Sequence, residues 1–203
     1  FIEENPDYIL GVLREYQLEQ NKLEQEKTNQ KNISSINNLN LAYHPMFLGD
    51  SNSAKVIYEF VDYNCGYCQK FHQELINVMK DNSLKLVIIQ MPILGNFSEE
   101  LTKLALASSL QGQFKVVHSY LYSTERKSKM EDILADLFLR GVDLDILKND
   151  LDSQEVSDFL SIHRSYADEF KFTGTPATII GNQIIPGFID ADKITEILEK
   201  EFS

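Results

Sequence analysis

Residues 56–68 read Val-Ile-Tyr-Glu-Phe-Val-Asp-Tyr-Asn-Cys-Gly-Tyr-Cys, and this stretch decides the fold. Its first six residues are β-branched, aromatic or aliphatic apart from Glu59, which predicts a strand. Cys65 and Cys68 follow directly, and the chain has no other cysteine. Their spacing is close to one helical turn, so both sulfurs are expected at the start of a helix. Unpaired N–H groups and the helix dipole favour a thiolate there. The pattern predicts a reactive dithiol.

The sequence on either side of this stretch predicts an α/β domain. Residues 84–91, Leu-Lys-Leu-Val-Ile-Ile-Gln-Met, are typical of a buried strand in a parallel sheet. Residues 97–171 contain no convincing strand. The predicted elements, in chain order, are a short strand at 47–48, a strand at 56–61, a helix that ends near 81–82, a strand at 84–91, helices over 97–171, a hairpin over 177–185 and a helix over 192–202.

The first 44 residues have a different character. Asn5-Pro6-Asp7 is typical of a helix start. The residues that follow it include a narrow apolar seam with a polar interruption, formed by Ile9, Leu13, Tyr16, Gln20 and Leu23. Such a seam favours a stalk that meets copies of itself, and the alternative is a helix that lies on its own domain. Thr28 to Asn40 is rich in weak helix formers, so we expect a bend or hinge there.

Composition argues against nucleic acid as a partner and against a membrane-spanning segment. A net charge of −12 argues against nucleic acid, because phosphate binding needs a basic face. No apolar run approaches the ~20 residues that a membrane span requires. Phe1-Ile2-Glu3-Glu4 has neither the basic nor the apolar region of a signal peptide, and the chain does not begin with Met. We therefore expect a processed N-terminus.

Four features together resemble the thioredoxin superfamily and, within it, the DsbA family of bacterial thiol:disulfide oxidoreductases. They are the stretch 60–68, Glu59 placed six residues before the first cysteine, the helical block, and Thr173-Gly174-Thr175-Pro176-Ala177. The resemblance covers residues 45–203. It implies a thioredoxin fold formed by residues 45–96 and 172–203, with a helical domain at 97–171 inserted between its strands. Residues 1–44 resemble the N-terminal arm of the trimeric disulfide isomerases and suppressor-of-copper-sensitivity C proteins.

The helix start and the resemblance give roles to three residues. Cys65 is expected to be the nucleophile, and Cys68 is expected to resolve the mixed disulfide. The resemblance implies that Glu59 is a buried proton acceptor for Cys68; the alternative is a carboxylate that points to solvent. A zinc site formed by Cys65, Cys68 and His72 is a rival interpretation, but tetrahedral zinc needs a fourth ligand and none is near in sequence. Purely structural cysteines are the other rival.

The resemblance also implies a substrate-binding surface. Pro176 is expected to form a cis peptide bond and to face the cysteines, where a proline in place of a histidine excludes metal. Thr175 is expected to offer its backbone to an extended substrate, and Gly66 and Tyr67 are expected to lie beside it. Because Tyr67 supplies no cation, the pair is expected to be less oxidising than in family members with histidine there.

The remaining histidines carry no predicted role. His72 is predicted to be a surface residue of its helix. His44, His118 and His163 stand alone in sequence and are predicted to be structural or surface residues.

These observations predict a thiol:disulfide oxidoreductase that acts on protein disulfides without metal or organic cofactor. The favoured version is a periplasmic disulfide isomerase, held as a homotrimer by its N-terminal helix and reset by a redox partner. The runner-up is a monomeric thiol oxidase of the same fold. An alternative from another class is a non-enzymatic surface or binding protein with a structural disulfide.

Overall fold

A computed structural model describes residues 6–39, 46–80 and 83–202. The chain divides into two compact units, residues 1–39 and residues 40–203. Three predictions lie outside the described residues: the helix cap at Asn5, the domain boundary at 44–45, and the position of His44.

The first unit is a single helix, α1, which spans Pro6–Asn37. The weak helix formers between residues 28 and 37 do not interrupt it. Three of the four apolar residues of the seam are exposed: Leu13 is 52% exposed, Tyr16 59% and Leu23 43%. The fourth, Ile9, is half-buried.

The second unit is built on a five-stranded sheet. Its strands are β1 (Phe47–Gly49), β2 (Val56–Val61), β3 (Lys85–Gln90), β4 (Ala177–Ile180) and β5 (Gln183–Pro186), in the order β1-β3-β2-β4-β5. β2 and β3 are parallel, with Glu59 opposite Ile88, and the other three pairings are antiparallel. Both central strands are buried along nearly their whole length, as the apolar runs in the sequence predict.

Seven helices accompany the sheet in the described part of this unit. They are α2 (Gly66–Met79), α3 (Asn96–Leu110), α4 (Phe114–Leu121), α5 (Met130–Leu139), α6 (Leu144–Asp150), α7 (Gln154–Glu169) and α8 (Ala191–Phe202). α2 packs against α8, α7 packs on β3, and α3 contacts α4, α6 and α7. All regular structure described between β3 and β4 is helical. The predicted thioredoxin fold with inserted helices is confirmed.

The order of the elements positions the cysteines. β2 leads through a short loop into α2, and α2 crosses back to the parallel strand β3. The beginning of α2 therefore lies at the carboxyl end of the central strand, where ligands of α/β folds commonly bind. Within the described residues, no helix combines the length and apolar character needed to cross a membrane.

Candidate active site

Cys65 caps the N-terminus of α2. Its backbone is extended, and its Sγ accepts a hydrogen bond from the backbone N–H of Cys68 at 3.4 Å. Its own N–H donates to the carbonyl of Asp62 at 3.0 Å, which closes the turn before the helix. A side-chain acceptor at an N-cap satisfies one of the unpaired N–H groups of the first turn. A sulfur in this position is stabilised as an anion by the helix dipole.

The two sulfurs differ in access. Cys65 is 9% exposed, whereas Cys68 is completely buried. The structure describes both as free thiols. Burial raises the pKa of the Cys68 thiol well above its ordinary value, and hydrogen bonds from Asp62 and Thr175 oppose the effect only in part. At neutral pH, Cys65 is thus the accessible sulfur and Cys68 remains protonated.

The loop before β4 meets the cysteines. The Thr175–Pro176 peptide bond is cis, and the Cys65 thiol donates to the carbonyl oxygen of Thr175, with 3.5 Å between Sγ and O. The carbonyl of Pro176 accepts a hydrogen bond from the N–H of Gly187 at 2.8 Å, which ties the loop to the end of β5. Cys65 and Thr175 are thus brought together across 110 positions of sequence.

The dipeptide between the cysteines faces outward. Gly66 is exposed, and Tyr67 is 66% exposed. The ammonium group of Lys70 lies 5.6 Å from the centre of the Tyr67 ring. The two residues are therefore accessible to a substrate that approaches Cys65, although the contacts they make within the chain are few.

Glu59 is completely buried in β2, so the solvent-facing alternative is wrong. Its Oε2 lies 2.8 Å from Nδ1 of His72. His72 is only 7% exposed, so its prediction as a surface residue is also wrong. The burial of His72 is consistent with its sequence position, because it lies four residues after Cys68 and next to Phe71, on the buried face of α2. A buried carboxylate needs a partner of this kind, because burying it alone costs several kcal/mol.

His72 is the second member of a buried chain of hydrogen bonds. Its Nε2 lies 3.2 Å from Nε2 of His118, whose Nδ1 lies 2.7 Å from the hydroxyl of Tyr63. The Tyr63 oxygen accepts from Nε2 of Gln90 at 3.2 Å. The Gln90 Oε1 lies 3.4 Å from the hydroxyl of Thr102, which donates to it. The prediction that His118 stands alone is therefore wrong.

One arrangement of hydrogens gives each hydrogen bond of this chain one donor and one acceptor. Thr102 donates to Gln90, the Gln90 amide donates to Tyr63, the Tyr63 hydroxyl donates to His118, His118 donates to His72, and His72 donates to Glu59. Both imidazoles are then neutral, in agreement with His118, whose pKa is lowered well below its usual value by burial and then by His72. All donors point toward Glu59. The carboxylate is the terminal acceptor of the chain.

His163 also has a partner within the fold. It is completely buried in α7, and its Nδ1 accepts the backbone N–H of Gln90 at 2.9 Å. This bond joins α7 to the end of β3. The expectation of a structural residue fits this position, but the histidine does not stand alone.

Tyr122 lies over the imidazole of His72, with 4.9 Å between the ring centres. Burial raises the pKa of Tyr122 well above its usual value, and the charges of Glu59 and of the Cys68 thiolate add to this effect. Tyr122 therefore lies within electrostatic reach of both groups. Within the described residues, its hydroxyl and Oε1 of Glu59 have no hydrogen-bond partner. The sequence contained no signal for this tyrosine.

Asp62 holds the two loops around Cys65 together. Its carboxylate is buried and accepts three backbone N–H groups, from Asn64 at 2.8 Å, Ile93 at 2.8 Å and Leu94 at 2.9 Å. The first belongs to the loop before Cys65 and the other two to the loop after β3. An aspartate directly after a strand is a common loop former, but its sequence position does not reveal the distant partners.

The zinc alternative lacks its third ligand. Both ring nitrogens of His72 face other side chains, Glu59 on one side and His118 on the other. In the described residues, no group of three or more His, Cys, Asp or Glu side chains has the arrangement of a metal site.

Comparison with known proteins agrees with the fold and the cysteine pair. The family profile described as thioredoxin matches residues 42–200. The probable disulfide bond formation protein D of Bacillus cereus is 24% identical over 169 residues, which cover 76% of this chain and 77% of that protein.

Two solved structures show the same fold. The thiol-disulfide exchange protein alpha-DsbA2 from Wolbachia pipientis superposes with a TM-score of 0.75 at 23% identity, over 86% of this chain and 97% of that one. ScsC from Proteus mirabilis in a compact conformation gives a TM-score of 0.70 at 18% identity, over 99% of this chain and 98% of that one.

Proposed function

The chain belongs to the thioredoxin family, and we propose that it acts as a disulfide isomerase on protein substrates. Its general activity is thiol:disulfide exchange through Cys65 and Cys68. This chemistry needs no metal or organic cofactor, because the sulfur pair itself carries the two electrons.

The first step is attack by Cys65. Its thiolate attacks one sulfur of a substrate disulfide, that S–S bond breaks, and the second substrate cysteine leaves as a thiolate. The product is a mixed disulfide between Cys65 and the substrate. The carbonyl of Thr175 lies 3.5 Å from Sγ of Cys65. We infer that Thr175 and Pro176 hold the substrate there, together with the exposed Gly66 and Tyr67.

The contrast between the two sulfurs is the observation that carries the isomerase proposal. Cys65 caps the N-terminus of α2 and keeps 9% of its surface exposed, whereas Cys68 is completely buried with a raised pKa. A protonated Cys68 attacks slowly. The mixed disulfide therefore persists long enough for another substrate cysteine, as a thiolate, to attack the substrate sulfur bonded to Cys65; the bond to Cys65 then breaks and Cys65 leaves as a thiolate. That rearrangement forms a new disulfide without net oxidation or reduction.

Glu59 is proposed as the proton acceptor when Cys68 does react. Cys68 then attacks Sγ of Cys65, releases the reduced substrate and leaves the Cys65–Cys68 disulfide. Oε2 of Glu59 is engaged by His72, but Oε1 has no partner among the described residues and is the atom left to take a proton. The chain of donors behind His72 stabilises the carboxylate between turnovers.

Isomerisation requires the reduced dithiol, and one feature of the site supports that state. The exposed Tyr67 supplies no cation to the Cys65 thiolate, in agreement with a less oxidising pair. A redox partner that returns the Cys65–Cys68 disulfide to the dithiol is part of the proposal, as is a periplasmic location, where substrate disulfides form.

The exposed seam of α1 supports a homotrimer. Leu13, Tyr16 and Leu23 are exposed along one helix of 32 residues. Apolar residues at this spacing associate with copies of themselves when nothing else covers them. Association would hold several Cys65 sites around one substrate and so raise their effective concentration.

The decisive experiment compares three forms of the full chain in the reactivation of a ribonuclease with scrambled disulfides. They are the wild type, a seam variant (Leu13→Lys, Tyr16→Lys, Leu23→Lys) and a control with the same added charge at exposed polar positions outside the seam spacing (Gln17→Lys, Asn21→Lys, Thr28→Lys). The proposal expects reactivation by the wild type and the control, and a large loss together with dissociation, measured by sedimentation, in the seam variant.

A thiol oxidase is the second candidate, and the name of the Bacillus cereus relative, a probable disulfide bond formation protein, supports it. If no form reactivates the scrambled ribonuclease while all forms oxidise a reduced dithiol peptide, the chain is an oxidase. If the Cys65 thiol reacts with neither substrate, the result would favour the non-enzymatic alternative, a surface or binding protein with a structural disulfide.

A further inference from the structure

A groove of about 320 Å³ opens beside Cys65. It lies between the beginning of α2 and the segment that follows α4. Its lining includes Cys65 and Asn64 on one side and Ser123, Thr124 and Arg126 on the other. A group bound here would lie next to the sulfur that the substrate disulfide must reach.

Arg126 lines this groove, and its guanidinium has no ion-pair partner among the described residues. It is half-buried, and its Nη1 is completely buried without a hydrogen-bond partner among the described residues. The other two arginines described in the second unit are both paired, Arg140 with Glu125 at 2.8 Å and Arg164 with Glu99 at 2.9 Å. In a chain with a net charge of −12, an arginine without a carboxylate partner is an exception.

The carboxylate that acts electrostatically on Arg126 does not pair with it. The charge of Asp62 acts on Arg126 at a distance, but its carboxylate is occupied by three backbone N–H groups. No ion pair joins Arg126 to any of the described residues. A partly buried guanidinium with an unpaired N–H costs free energy that an incoming anion would recover.

A second polar atom in the same groove is also unpaired. The hydroxyl oxygen of Ser123 is buried and has no hydrogen-bond partner among the described residues. Its O–H can donate to an acceptor placed between it and Arg126. Two donors without partners, one of them cationic, thus line the approach to the nucleophilic sulfur.

We propose that Arg126 and Ser123 bind a carboxylate of the substrate, so that disulfides with an acidic group close to the sulfur are preferred. The inference rests on the proposed exchange activity and adds a substrate class to it. The exchange itself is unchanged: the Cys65 thiolate bonds to the sulfur nearer the carboxylate, the substrate S–S bond breaks, and the other sulfur leaves as a thiolate. The guanidinium contributes by holding the carboxylate during attack.

The test compares two disulfide probes of opposite character. The dianionic probe is dithiobis(nitrobenzoate), with a carboxylate on each ring, and the neutral probe is dithiodipyridine. Every protein also carries Cys68→Ala, so that one thiol reacts and its adduct is not resolved. The variants are Arg126→Gln and, as a control, Lys127→Gln, which removes the same charge from an exposed neighbour outside the groove.

The ratio of the two second-order rate constants is the readout, because any change in the acidity of Cys65 alters both rates in the same direction. We expect Arg126→Gln to lower the ratio of anionic to neutral rates by about tenfold, the effect of one charge-assisted hydrogen bond. Lys127→Gln should change it by less than about twofold. Equal loss with both probes, or an unchanged ratio, would overturn the inference and leave the exchange activity intact. A Cys65 that reacts with neither probe would instead refute the proposed function.

Two further substrates distinguish the source of the carboxylate. One is glutathione disulfide, and the other is a disulfide-linked peptide with Glu beside its cysteine, compared with its Gln counterpart. If only the rate with glutathione disulfide depends on Arg126, the groove binds small acidic disulfides. If the rate with the Glu peptide depends on Arg126, the groove binds acidic segments of proteins. Independence of Arg126 for both substrates contradicts the inference.

Discussion

Replacing His72 with Leu removes the donor that supports the most deeply buried carboxylate of the active site. Glu59 is completely buried, its Oε1 has no partner among the described residues, and its Oε2 depends on His72 at 2.8 Å. A hydrogen bond to a buried charged group contributes about 1.5–3 kcal/mol, and leaving a buried acceptor without a partner costs about 1–3 kcal/mol, more when the acceptor is charged. We expect His72→Leu to lower the free energy of unfolding by about 3 kcal/mol.

Urea denaturation of the reduced protein at neutral pH measures this loss. The chain has no Trp, so the signal is the near-ultraviolet dichroism of the buried tyrosines Tyr63, Tyr120 and Tyr122. With a urea dependence of about 2 kcal/mol per molar, the midpoint should fall by about 1.5 M. The matched control is Gln73→Leu, the same replacement at an exposed neighbour on α2, which should stay within about 0.5 kcal/mol.

The double variant Glu59→Leu with His72→Leu tests the cause. Because it removes the stranded carboxylate together with its donor, it should be more stable than the sum of the two single losses predicts, by at least about 1.5 kcal/mol. Additive losses, or a single His72→Leu variant as stable as the control, would refute the reasoning that His72 supports the Glu59 carboxylate.

Three further outcomes follow from the site. Cys65→Ser should abolish exchange with a disulfide peptide, whereas Cys68→Ser should accumulate mixed disulfides on non-reducing gels. Because burial raises the pKa of Cys68, its thiolate is scarce at neutral pH. In a Glu59→Gln variant, which lacks the proposed proton acceptor, release of a preformed mixed disulfide should therefore accelerate about tenfold per unit between pH 6 and 8; a flat profile in stopped-flow release would contradict this. Asp62→Ala leaves the backbone N–H groups of Asn64, Ile93 and Leu94 without their acceptor, so calorimetry should show that the free energy of unfolding falls by about 2 kcal/mol. An unchanged stability would mean that this carboxylate does not hold the two loops together.

Local sequence patterns were sufficient for the strands and helices. Val56–Val61 forms the predicted strand with the predicted bounds, because a run of β-branched and aromatic residues fits only a buried strand between two loops. The helices between β3 and β4 and the hairpin after Pro176 also agree with prediction. In these segments the periodicity of apolar residues and the fold require the same local structure.

The polar chain behind the cysteines was not predictable in this way. His118 lies in an apolar stripe of α4 with Phe114, Val117 and Leu121, which marks it as buried. Burial alone does not reveal a partner, and its partner His72 lies 46 positions earlier on another helix. Contacts across elements depend on packing geometry that periodicity does not contain. By contrast, the family resemblance led us to expect Pro176 to face the cysteines, and the neighbouring carbonyl of Thr175 lies 3.5 Å from Sγ of Cys65.

The hydrogen-bonded chain from Glu59 to Thr102 also determines how the second unit unfolds. Its members come from β2, α2, α4, β3 and α3, so it crosses from the sheet into the inserted helices. Separating the helices from the sheet would strand several buried donors and acceptors at once. We therefore expect the sheet and the inserted helices to unfold in one cooperative step, so that amide hydrogen exchange in β3 and in α4 gives the same opening free energy.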